Sequence, residues 1–91
     1  MASQLRRLTA TGSVATGDRR LKSVALQGGS AASTVLVDDS AAGGGTVLLG
    51  LAAATGTSAL WTAADREGAY VSAGIYAVLT GAGASVTVEF D

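Results

Sequence analysis

Clusters of glycine, serine, threonine and aspartate cut this sequence into short apolar runs at intervals of about 8–12 residues, the spacing of all-β sandwiches and barrels. The last run is the plainest. Ala84-Ser85-Val86-Thr87-Val88-Glu89-Phe90 alternates strictly, which turns Val86, Val88 and Phe90 inward and Ser85, Thr87 and Glu89 outward. Before it, Gly74-Ile75-Tyr76-Ala77-Val78-Leu79-Thr80 is β-branched and aromatic, with apolar residues in both phases. That pattern predicts a central strand covered on both faces. Gly81-Ala82-Gly83 joins the two as a hairpin loop.

The same reading extends upstream. Ser33–Asp38 is a β-branched run, and Asp38-Asp39-Ser40 with Gly43-Gly44-Gly45 is a strongly punctuated turn. Thr46–Ala53 returns as a strand, and Leu21–Leu26 is a strand ending at Gly28-Gly29. Arg7–Val14 reads as the first strand. Ser58–Thr62 and Gly68–Val71 read as shorter ones, with Asp65-Arg66-Glu67-Gly68 as the turn between them. A helix over Thr46–Ala64 is opposed by Gly50, by Gly56 and by the Thr55-Gly56-Thr57-Ser58 break, since each interior glycine costs a helix about 1 kcal/mol. The expected fold is a seven- or eight-stranded antiparallel β-sandwich or jelly-roll-like barrel. Residues 1–91 form a single domain, with residues 1–6 as an extended N-terminal arm.

Composition limits how firmly such a fold can stand alone. The chain has 91 residues, of which 19 are alanine and 13 glycine. Glycine raises the entropy lost on folding, and small side chains bury little area at about 25 cal/mol per Å². Small domains with weak cores add disulfides, metals or partner chains. Cysteine and histidine are both absent, so disulfides and thiolate metal sites are excluded, and a partner chain is what remains. The absence of cysteine also fits synthesis in a reducing compartment. Met1–Arg7 lacks an apolar leader core, and no run is long enough for a transmembrane helix.

Chemistry-bearing patterns are scarce. A serine nucleophile needs a base, usually histidine, and paired-carboxylate hydrolysis needs two acids in a cleft, which nothing marks. The expectation is that the chain is not an enzyme and holds no cofactor or metal. Asp38-Asp39 lacks the spacing of a calcium loop and reads as a turn shaped by side-chain-to-backbone bonds. Gly43-Gly44-Gly45-Thr46 lacks the lysine of a phosphate loop and reads as a hairpin loop. Trp61, Tyr70 and Tyr76 serve as core or interface anchors, Trp61 and Tyr76 leaning to the core.

Charge is uneven. Residues 1–22 carry Arg6, Arg7, Arg19, Arg20 and Lys22 against Asp18, a net of +4. The remainder carries Arg66 against six acids, a net of −5. A basic end and an acidic remainder suit head-to-tail complementarity between subunits. Arg6, Arg7, Arg19, Arg20, Trp61 and Tyr70 are accordingly the expected interface residues. Nucleic acid is disfavoured because residues 1–26 contain no stacking aromatic, and the sequence pI is about 5.1.

Five segments, read in order, carry a family likeness: Arg19-Arg20-Leu21-Lys22-Ser23-Val24-Ala25-Leu26, Thr34-Val35-Leu36-Val37-Asp38-Asp39-Ser40, Gly45-Thr46-Val47-Leu48-Leu49, Ser72-Ala73-Gly74-Ile75-Tyr76-Ala77-Val78-Leu79-Thr80-Gly81, and Ser85-Val86-Thr87-Val88-Glu89. Over residues 5–91 the chain resembles the small Ala/Gly-rich virion structural proteins of tailed bacteriophages. The resemblance implies a β-sandwich or jelly-roll-like particle protein, either a capsid decoration (cement) protein or a head or tail fibre component. It further implies a homo-oligomer, commonly a trimer, that binds the major capsid protein or another virion protein and is made in the host bacterial cytoplasm. A small carbohydrate-binding module using Trp61, Tyr70 and Tyr76 is the competing reading, and a host-interaction module using an open sheet edge is a third. The resemblance carries no site residues with it.

Overall fold

Among the described residues these runs form nine strands and no helix. The computed structural model describes residues 4–64 and 68–91. The strands are β1 (Gln4–Leu8), β2 (Gly12–Thr16), β3 (Arg19–Gln27), β4 (Ser33–Asp39), β5 (Thr46–Ala53), β6 (Ser58–Thr62), β7 (Ala69–Val71), β8 (Gly74–Thr80) and β9 (Ser85–Phe90). They form two antiparallel sheets. The first runs β1-β9-β3-β6, with β7 also on β3, and the second runs β2-β8-β4-β5.

The pairing is nested. β4 pairs with β5, β3 with β6, β2 with β8 and β1 with β9. One long hairpin, with its tip at the β4–β5 loop, has doubled over so that its arms share out between two sheets. This is the connectivity of a jelly roll, with β7 as a short addition, laid out as a β-sandwich of two antiparallel sheets.

The core lies between the sheets. Leu21, Val24, Leu26, Val71, Val86, Val88 and Phe90 from the first sheet meet Val14, Val35, Val37, Ala53, Ile75 and Ala77 from the second. Val86, Val88 and Phe90 face inward as their alternation requires. Three details depart from the sequence reading. The segment Arg7–Val14 is not one strand, because Leu8 ends β1 and β2 starts at Gly12 after a turn. From Gln4 onward the expected free arm is paired edge strand, with Gln4 opposite Phe90 and Arg6 opposite Val88. The strands among the described residues also number nine, because that division adds one to the eight runs read.

β8 is central, between β2 and β4, but only one of its faces is sealed. Ile75 and Ala77 are buried, while Tyr76 and Val78 on the other face are half-buried. Two sheets leave each an outer face, so a central strand here is covered by neighbours edgewise and by the core on one side only. The Thr46–Ala64 stretch is strand, loop, strand as its glycines demand, with a turn closed by the Thr57 amide donating to the Ala54 carbonyl at 3.0 Å.

Among the described residues, Asp39 alone of the Asp38-Asp39 pair is seen to shape a turn, and it is the distant β7–β8 turn and not its own. The Asp39 carboxylate accepts from the Ala73 amide at 2.8 Å, the Ser72 amide at 3.2 Å and the Gly74 amide at 3.4 Å. It thereby caps the β7–β8 turn from β4. Donation from the Ala73 amide first, then from Ser72, holds its pKa below the ordinary value of 3.8. A lowered folded pKa contributes stability above the unfolded value and loses it as pH falls through the folded one. Asp39→Ala is therefore expected to lower the melting temperature at neutral pH. The gap from the native chain should narrow as pH drops below about 3.8, and a gap unchanged by acid would refute the cap. In the β4–β5 loop, Ser40 Oγ accepts from the Gly43 amide at 2.7 Å and the Ala42 amide at 3.1 Å. Gly43 and Gly44 have φ of 97° and 82°, so the glycine run is a hairpin loop as read.

Candidate interaction surface

Sheet pairing decides where each expected interface residue goes, because residues directly opposite in an antiparallel pair share a face. Arg7 lies opposite Thr87, Thr87 opposite Ala25 and Ala25 opposite Leu60. That row lies on the outer face of the first sheet, opposite in phase to buried Val24, Leu26, Val86 and Val88. Arg6 lies opposite Val88 and shares its inward side, but at an edge strand where it remains exposed.

The second arginine pair splits the same way. Arg20 lies opposite Tyr70 on the outer face, while Arg19 lies opposite buried Val71 on the inner side. Each sequence-adjacent pair thus sends one guanidinium outward and one to the edge of the space between the sheets. Arg6 and Arg19, from separate elements, line one cleft of about 420 Å³ together with Gln4, Ser13, Thr16 and Phe90.

Tyr70 sits in a polar cluster. Its hydroxyl donates to Asp18 Oδ1 at 3.0 Å, which pushes its pKa up. The Arg20 guanidinium lies 5.3 Å from its ring centroid. Asp91 sits beside them, since Arg20 and Asp91 exchange backbone hydrogen bonds at 3.1 and 2.9 Å. The Lys22–Asp91 pair, at 3.9 Å and part-exposed, contributes little in water. Tyr70 is 56% exposed, and with Arg20 it makes an outward-facing platform.

The other two rings lie elsewhere. Trp61, opposite Val24, packs against the core from β6. Tyr76 lies on the outer face of the second sheet, opposite Asp38 and Ser13, and is half-buried rather than core. The structure therefore gathers Arg6 with Arg19, and Arg20 with Tyr70, and it does not bring the three aromatic rings to one surface.

Two features escape a linear reading. All described arginines and the lysine lie on β1 and β3, both in the first sheet, while the only charges on the second sheet's strands are Asp38 and Asp39. Glu89 also lies in the first sheet, on β9, so the split along the chain becomes a segregation of the described cations onto one sheet and not a division of all charges between two. The second sheet's outer face also exposes large apolar side chains, on the same face as Asp38, Thr34 and Thr80. Leu36 lies opposite Val78, and Leu36, Val47 and Leu48 are 44%, 54% and 38% exposed. A bulge adds Val47 to this face: Val37 pairs with Leu49 and Asp38 with Val47, so Leu48 is the extra residue and Val47, which alternation from Leu49 would turn inward, is exposed beside it. No group of three or more metal-ligating side chains occurs among the described residues. Comparison with protein-family models, with curated proteins and with solved structures found no match to this chain.

Proposed function

We propose that the protein is a structural component of a bacteriophage particle, a capsid decoration (cement) protein that works by binding surfaces as a homo-oligomer. The observation that carries this reading is the outer face of the β2-β8-β4-β5 sheet. It holds three exposed large apolar side chains, Leu36, Val47 and Leu48, and its strands carry no lysine or arginine. Contiguous exposed apolar surface on a small domain marks a contact surface, and a core built mainly of valine and alanine gains from burying more. The jelly-roll connectivity and the resemblance carried by the Thr34–Ser40 and Ser72–Gly81 segments support the same reading.

As a mechanism, each subunit lays this sheet face on the shell, and the basic first sheet reaches acidic neighbours. Several such contacts in one oligomer multiply through effective concentration, so a shell can be bridged by individually weak contacts. Leu36→Ser combined with Val47→Ser should leave the unfolding free energy of the subunit within about 0.5 kcal/mol per site and remove sedimentation with the capsid. Mass spectrometry of purified particles should find the chain, and immunogold labelling should place it on the head. Label on fibres would redirect the reading to a fibre component, and absence from particles would end it.

A further inference from the structure

We infer that the cleft between β1 and β2 is a docking site for carboxylate side chains of an extended acidic peptide segment. It is bounded by two free strand edges, because β1 ends the first sheet and β2 ends the second. Arg6 and Arg19 both line it, and among the described residues no aspartate or glutamate does. Two guanidinium groups in one cleft repel unless an anion lies between them.

Arg19 is already set for the task. Its Nε donates to the Thr16 carbonyl at 3.0 Å, and its guanidinium lies 5.8 Å from the centroid of the Phe90 ring. Phe90 is 4% exposed and forms the floor. One donor is thus spent on fixing the plane, and the terminal N–H groups remain for a planar bidentate partner, which a carboxylate is. Gln4, Ser13 and Thr16 add neutral polar groups to the lining.

The shape favours peptide over nucleic acid. A volume of about 420 Å³ is that of a ligand pocket. Free edges on both sides offer main-chain hydrogen bonds to an extended strand. Single-stranded nucleic acid needs aromatic faces to stack on, and the one ring here is buried under Arg19. Edge arginines also deter sheet-to-sheet aggregation, but that role needs neither a second arginine from β3 nor its fixed plane.

The inference rests on the proposed function only for the partner being another particle protein; the chemistry of the cleft stands apart from it. The test is titration of the full chain with a hexaglutamate peptide at low salt, for the native chain and for Arg6→Gln, Arg19→Gln, Arg7→Gln and Arg20→Gln. All four variants remove one charge. Arg6→Gln and Arg19→Gln should each weaken binding at least tenfold, and Arg7→Gln and Arg20→Gln less than twofold. Arg6 is an exposed edge residue, so its variant reads the site even where Arg19→Gln disturbs the fold. Equal losses in all four would reduce the effect to net charge and overturn the site. Absence of binding, or displacement of the peptide by polyphosphate at far lower concentration, would overturn the carboxylate assignment. Presence of the chain in particles without hexaglutamate binding would remove the cleft and leave the proposed function standing.

Discussion

Leu26→Ala is expected to destabilise the subunit by about 3 kcal/mol, within the range of about 2–5 for buried leucine truncation. Leu26 is fully buried in β3, opposite Val86 on one side and Ala59 on the other. A cavity there cannot close easily, because Ala59 carries only a fixed methyl group that cannot swing into it and β3 is held on both edges. Against a total of about 5–15 kcal/mol, the loss is a large fraction for a domain of this size. Urea unfolding should show a lower midpoint with an unchanged slope, and the melting temperature should fall by about 15 °C. Leu60→Ala is the matched control. Leu60 lies opposite Ala25, one position from Leu26 and in the other phase, and is 68% exposed, so its loss should stay within about 0.5 kcal/mol. Because a one-residue slip exchanges the two faces of a strand, similar values for the two variants would refute the β3–β6 register.

Strand periodicity carried most of the fold. Val86, Val88 and Phe90 alternate without interruption, and their strand runs to its end without a bulge. The failures cluster where alternation breaks. In β3 the buried residues are Leu21, Val24 and Leu26. Their spacing of three and then two is set by an extra residue, Lys22, between the Leu21–Phe90 and Ser23–Glu89 pairs. A period-two reading has no place for such a residue, although the unequal spacing is its trace in the sequence. The same blindness hides Val47, whose exposure follows from the bulge in β5.

The candidate surface was legible as residue types and not as places. The basic segment was visible as Arg6, Arg7, Arg19 and Arg20, but their division between an outer face and a cleft depends on which strand each one opposes. Nothing local in Arg6-Arg7 states that Val88 and Thr87 lie across from them. The partner of Asp39 was equally hidden, since the amides of Ser72, Ala73 and Gly74 reach it only after the hairpin doubles over.

Gly29→Ala should prove at least as damaging as the core truncation, for a different reason. In the sequence Gly28-Gly29 reads as punctuation after a strand, a place where alanine would cost little. In the fold, a Cβ on Gly29 would lie 2.3 Å from the Ala82 carbonyl oxygen and 2.4 Å from the Gly83 carbonyl carbon. Both are backbone atoms of the β8–β9 hairpin loop, so no side chain can swing aside. The contact is tied on both sides, since the Ser30 amide donates to the Ala82 carbonyl at 3.0 Å and the Gly29 carbonyl accepts from the Gly56 amide at 3.1 Å. Three connections, β3–β4, β5–β6 and β8–β9, thus meet at one glycine at the end of the sandwich. Its requirement is space and not backbone conformation, because Gly29 is not among the residues with positive φ. Admitting a methyl group means parting the loops, which breaks these bonds and loosens the ends of β3 and β9. Overpacking of this kind costs about 1–3 kcal/mol and occasionally more, and with backbone on both sides the upper end, about 3 kcal/mol, is expected. The neighbouring turn glycine Gly56, where a Cβ meets open space at a φ of 73°, should lose only about 1 kcal/mol as alanine, a cost of backbone conformation alone. Thermal unfolding of the two variants side by side decides the point, and a Gly29→Ala protein as stable as Gly56→Ala would show that the loops do not meet there.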